Sequence, residues 1–181
     1  MLEKPQLTKE VQFVDERGKF IPSSLDKRWV QTNVSVSKKG VFRGMHFQIE
    51  DGAQAKLVRV LNGAVVDIVI DLRKTPNNPD YLKVSMFDLY STDEENSYPR
   101  LYVPKGFAHG FLSLKPNTIF EYQVDAEHKP EKDRSINWKS FPELKDLMEK
   151  HNFNTENMII SDKDKNAPTL EEWLKHNETV I

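Results

Sequence analysis

The sequence predicts a mainly β protein, a sandwich or barrel, with a few helices packed outside it after residue 140. Short runs rich in β-branched and aromatic residues recur from residue 11 to about 125 and are separated by turn chemistry. One of these runs is apolar on nearly all of both faces. Beyond residue 140 the apolar period lengthens from that of a strand to that of a helix.

In chain order the strand signals are VQFV (11–14), WVQTNVSV (29–36), VFRGMHF (41–47), AKLVRVL (55–61) and GAVVDIVIDLR (63–73). They continue with YLKVSMFDL (81–89), RLYVP (100–104), FAHGFLSL (107–114) and TIFEYQVD (118–125). Lys38-Lys39-Gly40, Asn62-Gly63, Thr75 to Pro79, Pro104-Lys105-Gly106 and Lys115-Pro116-Asn117 supply the turns. In the fifth run Ala64, Val66, Ile68, Ile70 and Leu72 share one face, and Val65, Asp67, Val69 and Asp71 the other. That pattern predicts a central strand with sheet on one side and a cavity or partner on the other. PELKDLMEKHN (142–152) places Leu144, Leu147 and Met148 at helical spacing, with Pro142 suited to a first turn. TLEEWLKHN (169–177) opens on a Thr with Glu172 three residues on, a capping-box pattern. The expected organisation is one domain over 1–181, with a β core over about 11–140 and a helical region over about 141–181.

The 181 residues suffice for a real core without staples. A net charge of −2 argues against a general nucleic-acid binder. No apolar run approaches the ~20 residues that span a bilayer, and the charged N-terminus MLEKPQLTKE is unlike a signal peptide, so a cytoplasmic location is expected. With no cysteine, the chain has no disulfide, thiolate metal site or cysteine nucleophile. G-x-G-x-x-G, Walker A and Gly-x-Ser-x-Gly patterns are absent, which lowers the Rossmann, NTPase and hydrolase readings.

Among the five histidines, His151 and His176 fall on the polar helical tail and read as solvated. His46 and His109 each stand in a strand beside glycine, which marks a bend or a close approach. A plain core histidine fits the same positions. A metal site is disfavoured, because His46-Phe47-Gln48 offers an amide where a second ligand would stand. Arg43, Lys56, Arg59 and Arg73 cluster near these strands, and Lys56 shares a face with Val58 and Val60. An inward lysine needs an anion: Asp67, or a phosphate or developing oxyanion. Tyr122 on TIFEYQV is equally a core aromatic with a tethered hydroxyl.

Taken together these segments resemble the dTDP-4-dehydrorhamnose 3,5-epimerase family. The resemblance is carried by Asp15 to Phe20, Val30-Gln31 with Asn33, Gly40 to Gln48, Ala55 to Val60, Asp67 to Arg73, Leu101 to Phe111 and Ser161 to Asp164. It implies a cupin-type jelly-roll, a homodimer, no metal and no cofactor. The implied reaction is epimerisation at C3 and C5 of a nucleotide-linked 4-keto-6-deoxy sugar, in surface-carbohydrate biosynthesis such as lipopolysaccharide or capsule. It assigns His46 as base, Tyr122 as opposing acid and Lys56 as the enolate-stabilising cation. Asp164 orients His46, and Asp67 is a second acid near the centre. Arg43 and His109 become sugar contacts, and Lys163 and Arg17 phosphate or nucleotide contacts. Phe20, Gln31, Asn33 and Asp133 complete the substrate-binding set.

The chain departs from the family pattern at Pro22, where Glu is usual, at Thr32, where Asp is usual, and at Asp125-Ala126-Glu127-His128, where Thr-Asp-Tyr-Tyr is usual. An unusual insertion runs from Glu143 to Asn157. These departures suggest GDP carrying a 4-keto-6-deoxy-heptose instead of a dTDP-hexose. The alternatives are a C3-only epimerase and a non-catalytic sugar-binding cupin. A 3,4-ketoisomerase of the same fold, with its Arg-Gly-x-His-Ala-His pattern, is disfavoured by Phe47-Gln48.

Overall fold

A computed structural model describes residues 2–23, 28–92, 97–154, 156–176 and 178–181. Its strands are β1 (Gln6–Val11), β2 (Phe13–Asp15), β3 (Gly18–Phe20), β4 (Gln31–Ser37), β5 (Phe42–Gln48), β6 (Lys56–Asn62) and β7 (Ala64–Asp71). β8 (Val84–Tyr90), β9 (Ser97–Val103), β10 (Phe107–Ser113), β11 (Thr118–Val124) and β12 (Asp133–Ser135) follow. The helices are α1 (Pro142–Lys150), α2 (Asp162–Lys165) and α3 (Leu170–Leu174). Two five-stranded sheets, ordered β1-β9-β6-β11-β4 and β12-β5-β10-β7-β8, face each other, and β2 and β3 form a separate hairpin. This is the mainly β sandwich that the strand spacing predicts.

Between the sheets lies one apolar cluster that includes Val58, Val60, Val69, Leu101, Phe111 and Phe120. Phe111 of β10 stacks on Phe120 of β11 at 4.3 Å and ties the two walls together. The other face of the second sheet buries Phe47, Ile68, Ile70 and Leu112 under Trp138, Leu144, Met148 and Trp173. The doubly apolar β7 is thereby explained. One face meets the opposing sheet, and the other meets the helical layer instead of a cavity. Burying side chains of this size contributes about 1.5–3 kcal/mol each, so both layers are needed.

The expected helix at 142–152 forms as α1, which turns Leu144, Leu147 and Met148 inward. That at 169–177 is shorter, α3, and carries the expected capping box between Thr169 and Glu172. Asn177 lies outside the described residues. Four elements had no sequence signal: β1, β3, α2 and β12. β12 is three polar residues recruited by the edge of β5, with Asp133 opposite Gln48 and Ser135 opposite His46.

Candidate active site

β5 presents two polar side chains to the space between the sheets, Arg43 and His46. Three residues apart, they should point to opposite faces of a regular strand. A bulge removes the conflict: His109↔His46 and Phe111↔Arg43 pair, so two steps on β10 match three on β5. The extra residue is Gly44, with φ 140°. A Cβ there would lie 2.7 Å from Gly110 Cα, and one on Gly110 would lie 2.6 Å from Arg43 O. Both glycines are therefore required where β5 and β10 touch.

His46 and Arg43 open onto a cavity of about 530 Å³, also lined by Lys56, His109, Tyr122 and Asp164. His46 Nε2–H donates to Asp164 Oδ1 at 2.6 Å. Asp164 is brought there by local chemistry. Phe42 N–H bonds Ile159 O at 3.0 Å, which lays the chain along the start of β5. Ser161 then caps α2 by accepting from Asp164 N–H at 3.1 Å. Burial pushes the Asp164 carboxyl up, but the His46 bond, the Gly44 N–H and Ser161 outweigh it and hold it below the usual carboxylate value. The imidazole thus carries its proton on Nε2 and leaves Nδ1 with the free lone pair.

Tyr122 stands on β11, in the opposite sheet from His46. Burial raises its pKa, Arg43 opposes and Asp133 adds to the rise, so the phenol stays protonated. Lys56 is driven down to about 8 by burial, against the opposing pull of Asp67 and Asp133. The Lys56 ammonium has no hydrogen-bond partner among the described residues. Asp67 is fully buried behind His109, whose Nε2 bonds its two oxygens at 3.0 and 2.9 Å. Burial drives both partners toward their neutral forms, Asp67 upward and His109 downward. The anion that the sequence offered to Lys56 is therefore shared with a histidine.

Lys163 lines the same cavity and donates to Asp133 Oδ2 at 2.6 Å. Asn33 pairs with Tyr122 across β4 and β11, and its Oδ1 accepts from Gln31 Nε2 at 2.7 Å. Arg17 and Phe20 are different. They sit on the β2–β3 hairpin, Arg17 bound to Asp15 with its side chain 85% exposed and Phe20 67% exposed, away from the cavity lining. Sequence reasoning missed Ser35, which lines the cavity with a buried hydroxyl lacking a partner among the described residues. The signal was present: Gln31, Asn33, Ser35 and Ser37 fall on one face of β4, an unbroken polar row. Ser37 Oγ accepts from Arg43 Nε at 3.3 Å.

Other clefts hold less chemistry. One of about 220 Å³ by the C-terminal segment has its Arg73 and Glu178 paired with Asp71 and Arg134. Among the described residues no group of three His, Cys, Asp or Glu could hold a metal ion. No described helix is long and apolar enough to cross a membrane.

The family model for dTDP-4-dehydrorhamnose 3,5-epimerase matches residues 6–172. The dTDP-4-dehydrorhamnose 3,5-epimerase of Methanothermobacter thermautotrophicus is 37% identical over 169 residues, covering 88% of this chain and 86% of that one. A crystal structure of the Bacillus anthracis dTDP-4-dehydrorhamnose 3,5-epimerase with TDP and PPi bound matches with TM-score 0.76 and 33% identity, over 92% of this chain and 94% of that one. The Legionella pneumophila dTDP-6-deoxy-D-glucose-3,5-epimerase, in complex with dTDP-4-keto-L-rhamnose, matches with TM-score 0.74 and 31% identity, over 92% and 88%.

Proposed function

The chain belongs to the dTDP-4-dehydrorhamnose 3,5-epimerase family, and from that premise we propose that it inverts C3 and C5 of a nucleotide-linked 4-keto-6-deoxy sugar through enolates. The observation that carries the reading is His46 on one sheet, held by Asp164 from α2, facing Tyr122 on the other sheet across a shared cavity. Inversion needs a base and an acid on opposite faces of the ring, and the two walls of the sandwich supply them. The C4 ketone acidifies the neighbouring C–H bonds. His46 Nδ1 takes the proton, Lys56 stabilises the oxyanion at C4, and Tyr122 returns a proton to the other face. Arg43 lowers the cost of the transient phenolate. The Ser35 hydroxyl is free for a sugar hydroxyl, and Lys163, bound to Asp133 without ligand, would turn to the diphosphate.

The carrier that the relatives' bound ligands support is dTDP, with Gln31 and Asn33 offering amide edges to the base. The departures at Pro22, Thr32 and His128 favour a second reading, GDP with a 4-keto-6-deoxy-heptose. His128 stands where the family has tyrosine, and it is held by Gln48 Nε2. Thermal-shift titration separates them: stabilisation by dTDP alone removes the GDP reading.

We further propose a homodimer. β4 carries its polar row inward, so its other face exposes Val34 at 59% and Val36 at 63%. The hairpin exposes Phe13 and Phe20, and its Arg17 is not among the described residues that line the His46 cavity. A second copy would cover the valines and receive Arg17 and Phe20 beside its nucleotide.

Solvent deuterium exchange tests the reaction. A dTDP-4-keto-6-deoxy sugar should gain deuterium at C3 and C5. Label at C3 alone would indicate the narrower epimerase, and binding without label would indicate a sugar-binding cupin.

A further inference from the structure

The carboxylate that holds His46 is carried by the shortest helix of the fold. α2 runs only from Asp162 to Lys165, and a single turn does not hold itself in water. It has to be tied at both ends. At its entry Ile159 lies against the start of β5, accepting from Phe42 N–H at 3.0 Å and donating to Gly40 O at 3.0 Å. At its exit the Lys165 carbonyl has no partner within the helix.

One side chain takes up that exit. Asn137 Nδ2 donates to Lys165 O at 3.1 Å and to Ala167 O at 3.4 Å. Asn137 Oδ1 accepts from Lys139 N–H at 3.0 Å, which settles which end of the amide faces the two carbonyls. The Asn137 backbone N–H donates to Pro168 O at 2.8 Å. Asn137 is in turn anchored on β5. Its neighbour Ile136 exchanges both backbone bonds with Met45, at 3.0 and 3.4 Å, next to the Ser135↔His46 pair. The stretch 159–168 is thus tied to β5 on either side of the Gly44 bulge. Asp164 hangs between the ties, with Oδ1 on His46 Nε2 at 2.6 Å and Oδ2 accepting from Gly44 N–H at 3.4 Å.

Resting on the reading of His46 and Asp164 as the proton-transfer pair, we propose that Asn137 is a positioning residue for the reaction, whose amide clamps the exit of α2 and so sets Asp164 against His46. Asn137 is not among the residues that line the His46 cavity, so it acts through Asp164 and not on the sugar. Asn137→Asp separates the two functions of the side chain. It keeps an acceptor for Lys139 N–H and replaces the donor with an oxygen that repels both carbonyls. The entry tie and the Ser161 cap remain, so α2 stays attached at one end while Asp164 leaves the imidazole.

The His46 ring reports the pair without turnover. NMR of isotope-labelled histidine should show His46 in the parent as one tautomer, protonated on Nε2 and with that proton shifted downfield. Asn137→Asp should lose the downfield proton and mix the two tautomers. Its kcat should fall about tenfold or more while KM stays within about twofold, since no substrate contact is removed. Asn137→Ser removes the same amide and gives the same readout if Asn137→Asp does not fold. Leu89→Ala, in the apolar layer between the sheets, loosens the fold at β8 and should keep the parental tautomer. An Asn137→Asp protein that retains the Nε2 tautomer would overturn the clamp, as would the same loss of signature in Leu89→Ala. Slower turnover with the tautomer intact would overturn it too. Mixed tautomers with parental turnover would instead count against the proton-transfer pair: Asn137 would still place Asp164, and the reaction would not depend on it.

Discussion

His46 has one nitrogen committed to Asp164, which leaves a single site for proton transfer. His46→Ala should therefore abolish deuterium exchange at both carbons. Tyr122→Phe should keep some exchange yet lose net inversion, because abstraction survives while delivery to the far face does not. Full epimerase activity in either variant would overturn these roles. Lys56 adds a pH dependence. Its pKa is depressed to about 8, so the ammonium is lost as pH rises through that value, and the exchange rate should fall on the alkaline side. A rate that holds to about pH 10, near the ordinary lysine value, would show that its charge is not needed. At this scale the sequence was informative where a residue's own segment carried the signal: His46, His109, Lys56 and Tyr122 all line the cavity. It was silent on pairings made by folding. Asp67 meets His109 across β7 and β10, and nothing in either segment says so.

The bulge in β5 does more than bend a strand. Without it Arg43 or His46 would leave the cavity for the helical layer. Gly110→Ala should force the β5–β10 contact apart and cost about 1–3 kcal/mol, read as a lower urea midpoint at unchanged slope, with exchange activity falling further than stability. Thr169→Ala should cost about 1 kcal/mol by removing the α3 cap and leave exchange kinetics unchanged. Equal kinetic losses in both variants would contradict a special role for the bulge. Element legibility followed residue pattern more than burial, since the exposed β2 was read from its β-branched and aromatic composition. Strands with a buried face were visible, whereas β1, almost wholly exposed, showed no alternation to read. α2 is one turn long and exists to present Asp164, too short for any period to register.

For the whole molecule, the proposed dimer predicts sedimentation at twice the mass of one 21.1 kDa chain at micromolar concentration. A monomer that epimerises at full rate would remove the need for Arg17 in trans. Mixing two inactive variants gives a sharper check: Arg17→Ala and His46→Ala subunits, exchanged together, should regain activity in one site of each mixed pair. The overall sandwich was legible because repeated strand signals leave few alternatives. The assembly was hinted at only by the inverted alternation of β4.

The dyad itself joins residues separated by 118 positions, and its acid arrives from outside the sandwich. A growing chain therefore completes every strand, the lysine and the tyrosine before the carboxylate that sets the histidine's tautomer has been translated. Competence is acquired late and all at once. A chain halted before Asp164 would also lack Trp173 and Val180 of the buried layer, so the proposed dyad and the last of the packing arrive together.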